Sequence, residues 1–208
     1  MKLTSVNIGK KGTVNGEVTG IDKQPVPGPV RVTALGLEGD FIASAKHHGG
    51  PDQAVYLYGG RDYAWWAGEL GRPLDPGTFG ENLTVAGLES AGCAVGDRLT
   101  VGEVILEVTA PRFPCRTFAA RMGDPGFVQR FRDAGRPGVY CRLVREGTVR
   151  AGDAATLEPV RGERTTLLEL YRDHYEKTAD EATLKRFLRA PLASRLREAL
   201  EERLEKLG

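Results

Sequence analysis

The run Val104-Ile105-Leu106-Glu107-Val108-Thr109-Ala110-Pro111-Arg112-Phe113-Pro114-Cys115-Arg116 decides how this chain is read. It starts as an apolar, strand-like segment over residues 104–108 and runs straight into a proline-bounded loop. Pro111 and Pro114 fix their own φ and push the residues before them out of the helical region. Residues 118–122 have helical character, which predicts that the Cys115 thiol stands at a strand-to-helix junction. Arg112 and Arg116 flank it, and cations and a helix N-terminus both favour thiolate, the nucleophilic and metal-ligating form. The other reading is a buried, inert cysteine, since free cysteine is among the most buried residue types. This segment alone leaves both readings open.

Outward from the loop, composition narrows the class. Of 208 residues, 40% are hydrophobic and 27% charged, an ordinary balance for a globular chain. The net charge of +1 gives no general reason to expect nucleic acid or an anionic membrane surface as partner. No apolar run approaches the roughly 20 residues of a membrane helix, and residues 1–6 lack a signal-peptide core. The three cysteines, Cys93, Cys115 and Cys141, suggest neither a disulfide framework nor a CxxC zinc site, so a reduced cytoplasmic setting is expected.

Of 27 glycines, only Gly162 and Gly208 lie beyond residue 160. The glycine- and proline-rich part predicts a mainly β unit, a barrel or sandwich with inserted helices, over residues 1–161. Residues 162–208 predict a small unit of three amphipathic helices, with too little core to be very stable alone. Strands are expected over 3–8, 13–19, 30–35, 54–58, 138–144 and 154–160, and a hairpin over 95–108 turned at Gly102. Helices are expected over 61–70 and 127–133. In the tail, Thr178 with Glu181 fits a capping box, and Pro191 suits a first helical position.

Several further motifs have a chemical and a plain reading. His47-His48-Gly49-Gly50 permits close backbone approach and exposed amides, which suits an anion; it is also an ordinary polar turn before a strand. Gly80-Glu81-Asn82-Leu83 offers in Asn82 a donor and an acceptor for a planar heterocycle, or an Asx-type turn. Lys23, Arg31, Arg112 and Arg136 sit near glycine or proline loops and suit phosphate, or are solvated charges. Trp65-Trp66, His174, Cys93 and Cys141 read as packing or surface residues.

Taken together, Lys23, His48-Gly49-Gly50, Phe79-Gly80-Glu81-Asn82-Leu83 and Pro111-Arg112-x-Pro114-Cys115, in that order, closely resemble the MOSC domain. With the helical tail, the chain resembles the stand-alone bacterial branch of that family over nearly its whole length. The resemblance implies a MOSC β-barrel-like domain and a molybdenum cofactor, a pyranopterin (molybdopterin) dithiolene with a terminal phosphate. It implies Cys115 as the molybdenum ligand and, with His48, a catalytic residue. Lys23, His48, Gly49, Gly50, Asn82, Arg112 and Cys115 are its implied cofactor-binding set. The implied activity is reduction of N-hydroxylated compounds, such as hydroxylaminopurine-like bases, to the amines. Pyridoxal phosphate is not expected. Arg116 departs from the bulky apolar residue usual after the cysteine, which bears on substrate preference. No flavin or nicotinamide fingerprint is visible, so electrons are expected from a separate flavin- or iron–sulfur-dependent reductase; a homodimer is a further expectation. The rival readings are a non-enzymatic cofactor or sulfur carrier using Cys115, and a metal-free thiol enzyme.

Overall fold

The computed structural model describes residues 1–43 and 49–207. Its main sheet contains β1 (Lys2–Gly9), β4 (Lys23–Pro25), β7 (Val55–Gly59), β8 (Leu83–Ala86), β9 (Arg98–Val101), β10 (Val104–Ala110), β11 (Val139–Arg145) and β13 (Ala155–Glu158). The order is β13-β9-β10-β11-β7-β8-β1-β4. Neighbours are antiparallel except β7 and β8, whose parallel pairing needs the crossover that α1 (Gly60–Leu70) supplies. Two smaller sheets join β2 (Gly12–Val14) to β3 (Glu17–Thr19), and β12 (Gly147–Val149) to β5 (Val30–Thr33) and β6 (Gly36–Leu37).

The mainly β expectation therefore holds in its broad form, but among the described residues no continuous ladder closes a barrel. A short link joins the start of β1 to the residues just before β13 at the other end of the sheet. There Lys2 bridges Ala154, the Leu3 amide donates to Asp153 O at 2.9 Å, and the Gly152 amide donates to Leu3 O at 2.8 Å.

Alternation along the strands separates two cores. On β7, Val55 and Leu57 point into an aliphatic cluster, whereas Tyr56 and Tyr58 point into an aromatic one. On β11, Val139 and Cys141 face the aliphatic side and Tyr140 the aromatic side. The aromatic core stacks Tyr58, Trp66, Phe79 and Phe131 beneath α1, with Tyr58 and Phe79 centroids 4.3 Å apart. Burying such side chains contributes about 1.5–3 kcal/mol each. The tail forms α4 (Leu167–Glu176), α5 (Glu181–Arg189) and α6 (Ser194–Glu205). Its Leu167, Leu170, Leu184, Phe187 and Leu200 join the same aliphatic cluster as the sheet, so these helices pack as part of the main core.

Three local expectations are corrected. Residues 13–19 are not one strand but the β2–β3 hairpin, because Asn15 and Gly16 take positive φ (49° and 80°) and form a tight hairpin turn. The capping box lies at Thr166 and Glu169, each side chain bonding the other's backbone amide. At α5, Asp180 takes the cap instead of Thr178, accepting from the Thr183 amide at 2.8 Å. Pro191 is not in a first helical turn: α6 begins at Ser194, after Leu192 and Ala193 have been buried.

This capping scheme predicts that Thr166→Ala lowers unfolding stability by about 1 kcal/mol. Thr178→Ala, at an exposed position, should stay within about 0.5 kcal/mol of the parent. Urea unfolding of both variants is the check.

Candidate functional site

A cavity of about 300 Å³ lies on the aromatic face of the sheet, floored by Tyr56 and Tyr140. Ile21, Phe41 and Ile42 give it an apolar wall, Lys23, Asp40 and Asn82 a polar one, and Arg112 and Cys115 complete it.

β10 ends at Ala110, and the proline-bounded loop carries the chain to α2 (Arg116–Met122), with Cys115 as an extended N-cap residue at φ −124°. The expected strand-to-helix junction is therefore present. Cys115 is half-buried, whereas Cys93 and Cys141 are buried and both thiols are pushed up by desolvation, that of Cys93 to about 12. Of the two flanking arginines only Arg112 reaches the cavity; Arg116 is exposed on the other side of the loop.

Arg112 is 4% exposed, and its guanidinium lies over the rings of Phe118 (4.6 Å) and Tyr56 (5.0 Å). It donates through Nη1 to Phe79 O, a close approach that a side chain at Gly80 would crowd, since a Cβ there would sit 3.4 Å from Nη1. Among the described residues no carboxylate pairs with Arg112, and its buried Nε has no partner. Burial works against its charge, but its pKa is nonetheless held up and the group stays protonated.

Lys23 is buried and bridges both oxygens of Asp40 at 2.5 Å. Burial lowers its pKa, and the Asp40 carboxylate opposes that shift. Asp40 also accepts from the Gly9 amide at 2.7 Å and from Asn82 Nδ2 at 2.9 Å. The Asn82 Oδ1 accepts from the Tyr56 amide at 3.2 Å. Asn82 and Lys23 thus reach the cavity already tied into the protein by Asp40, as parts of its wall.

The sequence singled out Lys23, Gly49, Asn82, Arg112 and Cys115, and all five line this one cavity. Gly50, also expected at the site, does not line the cavity; it is the residue ahead of the 3₁₀ turn Pro51–Gln53. His48 lies outside the described residues. Arg31 and Arg136 do not join the site. Arg31 pairs with Glu146 at the surface, and Arg136 pairs with the buried Asp62 at 2.9 Å and stacks on Trp65. Sequence reasoning missed Asp40, Tyr56 and Tyr140. For Asp40 the sequence carries no local signal, since it stands alone after Gly39 and Lys23 already has Asp22 beside it in the chain. Among the described residues no group of three or more histidine, cysteine or acidic side chains is placed to hold a metal ion. No helix there is long and apolar enough to cross a membrane.

The chain is similar to known proteins over most of its length. The chain is 36% identical over 192 residues to the uncharacterized protein YflK of Bacillus subtilis, covering 88% of this chain and 86% of that one. It is 36% identical over 155 residues to a protein of Gibberella moniliformis named a reductase, covering 71% of this chain but only 27% of that much longer one. The crystal structure of YiiM from Geobacillus stearothermophilus superposes with a TM-score of 0.81 at 28% identity, over 98% of each chain. The profile of the MOSC domain matches residues 44–156, the stretch that supplies Gly49, Tyr56, Asn82, Arg112, Cys115 and Tyr140, and the chain belongs to the MOSC domain family.

Proposed function

We propose that this chain is a molybdenum-cofactor-dependent reductase that converts N-hydroxylated compounds, of the hydroxylaminopurine type, to the amines. The observation that carries the reading is the buried Arg112, a permanent cation without a carboxylate partner among the described residues, beside the half-buried Cys115 thiol in one cavity. A buried charge left uncompensated is costly, so the cavity favours a ligand that brings negative charge. The molybdenum cofactor, with its dithiolene and phosphate, is such a ligand, and a thiolate is a suitable soft donor to it. When bound, the group supplies two-electron oxygen-atom transfer.

The chain's own residues have separable tasks in this reading. Cys115 binds through Sγ. Arg112 holds the negative charge of the bound group. Asp40 keeps Lys23 charged and Asn82 oriented, so one wall is fixed before any ligand arrives. The Tyr56 and Tyr140 phenols, pushed up by burial, keep their protons at Oη at neutral pH. Ile21, Phe41 and Ile42 exclude water from one side. The overall conversion, R–NHOH with two protons and two electrons to R–NH₂ and water, draws its electrons from a separate flavin- or iron–sulfur-dependent reductase. The reductase-named relative supports this class of chemistry.

The test is to express the chain in a host that makes the cofactor, assay molybdenum and pterin, and supply a chemical reductant with an N-hydroxylated base. Turnover supports the reductase. Stoichiometric cofactor without turnover points instead to a carrier.

Two outcomes follow from the site geometry. Native protein near neutral pH should react with a thiol reagent at one of its three cysteines, Cys115, because Cys93 and Cys141 are buried thiols. Cys115→Ser should abolish both that reaction and molybdenum content, while Cys93→Ser keeps the metal. Separately, Arg112→Gln should weaken cofactor binding about tenfold to a hundredfold, the value of one charge-assisted contact. Titration of apo-protein with cofactor, with circular dichroism as the folding control, measures it.

A further inference from the structure

We propose that the C-terminal helices brace the cavity, and that Arg195 is the positioning residue through which α6 fixes the glycine turn over residues 49–53. None of the tail residues lines the cavity among the described residues, yet two of its helices hold the segments that do.

The first hold is on the glycine turn. Gly49 and Gly50 take φ of 100° and 83°, a pair of conformations with little intrinsic preference for one fixed geometry. Gly49, Gln53 and Ala54 line the cavity. Arg195 Nη2 donates to Gly49 O at 3.1 Å and to Gln53 Oε1 at 2.6 Å, spanning the turn from end to end. Next to it, the Ser194 amide and hydroxyl both donate to Asp52 Oδ2. Arg142 on β11 reaches the other Asp52 oxygen at 3.0 Å and also donates to Pro191 O and Leu192 O. Asp52 is thereby gripped between the sheet and the start of α6, and these donors keep its carboxyl below the usual range despite its partial burial.

The second hold is on the cysteine loop. Phe113, two positions before Cys115, stacks on Tyr171 of α4 with planes 5° apart, and on His174 at 3.9 Å. The tail therefore holds the glycine turn through α6 and the loop that carries Cys115 through α4. Both bonds leave one guanidinium nitrogen, so a single charged group ties the start of the turn to its end.

The brace is independent of the cofactor in its structure but rests on the reductase reading for its purpose. Arg195→Ala and Arg195→Lys are compared with the parent by amide hydrogen exchange and by cofactor titration of the full-length apo-protein. Arg195→Ala should speed exchange over residues 49–56 about tenfold while the β9–β10 hairpin stays protected, a local opening rather than global unfolding. Its cofactor dissociation constant should rise about tenfold, and Arg195→Lys should recover part of both effects. Arg195→Gln replaces the alanine variant if that one does not fold. Unchanged exchange overturns the brace, and so does faster exchange with unchanged affinity. If the parent takes up no cofactor, the reductase reading fails by itself and exchange alone decides whether Arg195 holds the turn.

Discussion

One buried carboxylate stitches together an entire side of this molecule. Asp40 accepts from Lys23 of β4, from the amide of Gly9 at the end of β1, and from Asn82 ahead of β8. Asn82 passes the constraint on, to Tyr56 of β7 through its side-chain oxygen and to Asn7 of β1 through its carbonyl, which accepts the Asn7 amide at 2.7 Å. Four strands and one cavity wall are thus registered by two side chains. Removing either partner would leave buried polar groups without bonds, each a loss of about 1–3 kcal/mol.

With that wall closed on itself, charge in the cavity is divided unevenly. The Lys23–Asp40 pair is neutral as a unit, and Glu17 at the mouth is exposed to water. Arg112 remains, desolvated; among the described residues it lies over two aromatic faces and donates to one backbone carbonyl. The proposed preference for negative ligands accordingly rests on one fixed guanidinium rather than on a diffuse basic surface, consistent with a net charge of +1. Salt should screen a contact buried in this way far less than a surface pair.

The legible features of this sequence are those written in local pattern. The alternation of Val55-Tyr56-Leu57-Tyr58 marks a two-faced strand, and Pro111 to Cys115 marks a stiff loop, because neighbours in sequence impose those constraints. Asp40 was hidden because its donors come from positions 9, 23 and 82, and a lone aspartate after Gly39 looks like any turn residue. The capping pattern occurs twice, at Thr166–Glu169 and at Thr178–Glu181, and burial of Leu167 and Leu170 in the core decides where α4 starts. The Asn15-Gly16 turn was legible in principle: that pair between apolar-polar alternations is a strong hairpin signal, and it divides what otherwise reads as one strand.

The short link at the beginning of β1 bears on how the chain reaches this state. Residues 2–6 of β1 pair with residues 83–86, and Leu3 also exchanges bonds with residues 152 and 153. During synthesis, β1 would wait for two later segments before its edges are satisfied. Loops of that length close slowly compared with a hairpin such as β9–β10, so the local hairpins and helices would form early and the opening strand would dock late. Until then Leu3 and Val6, both fully buried in the finished fold, would face water or a chaperone.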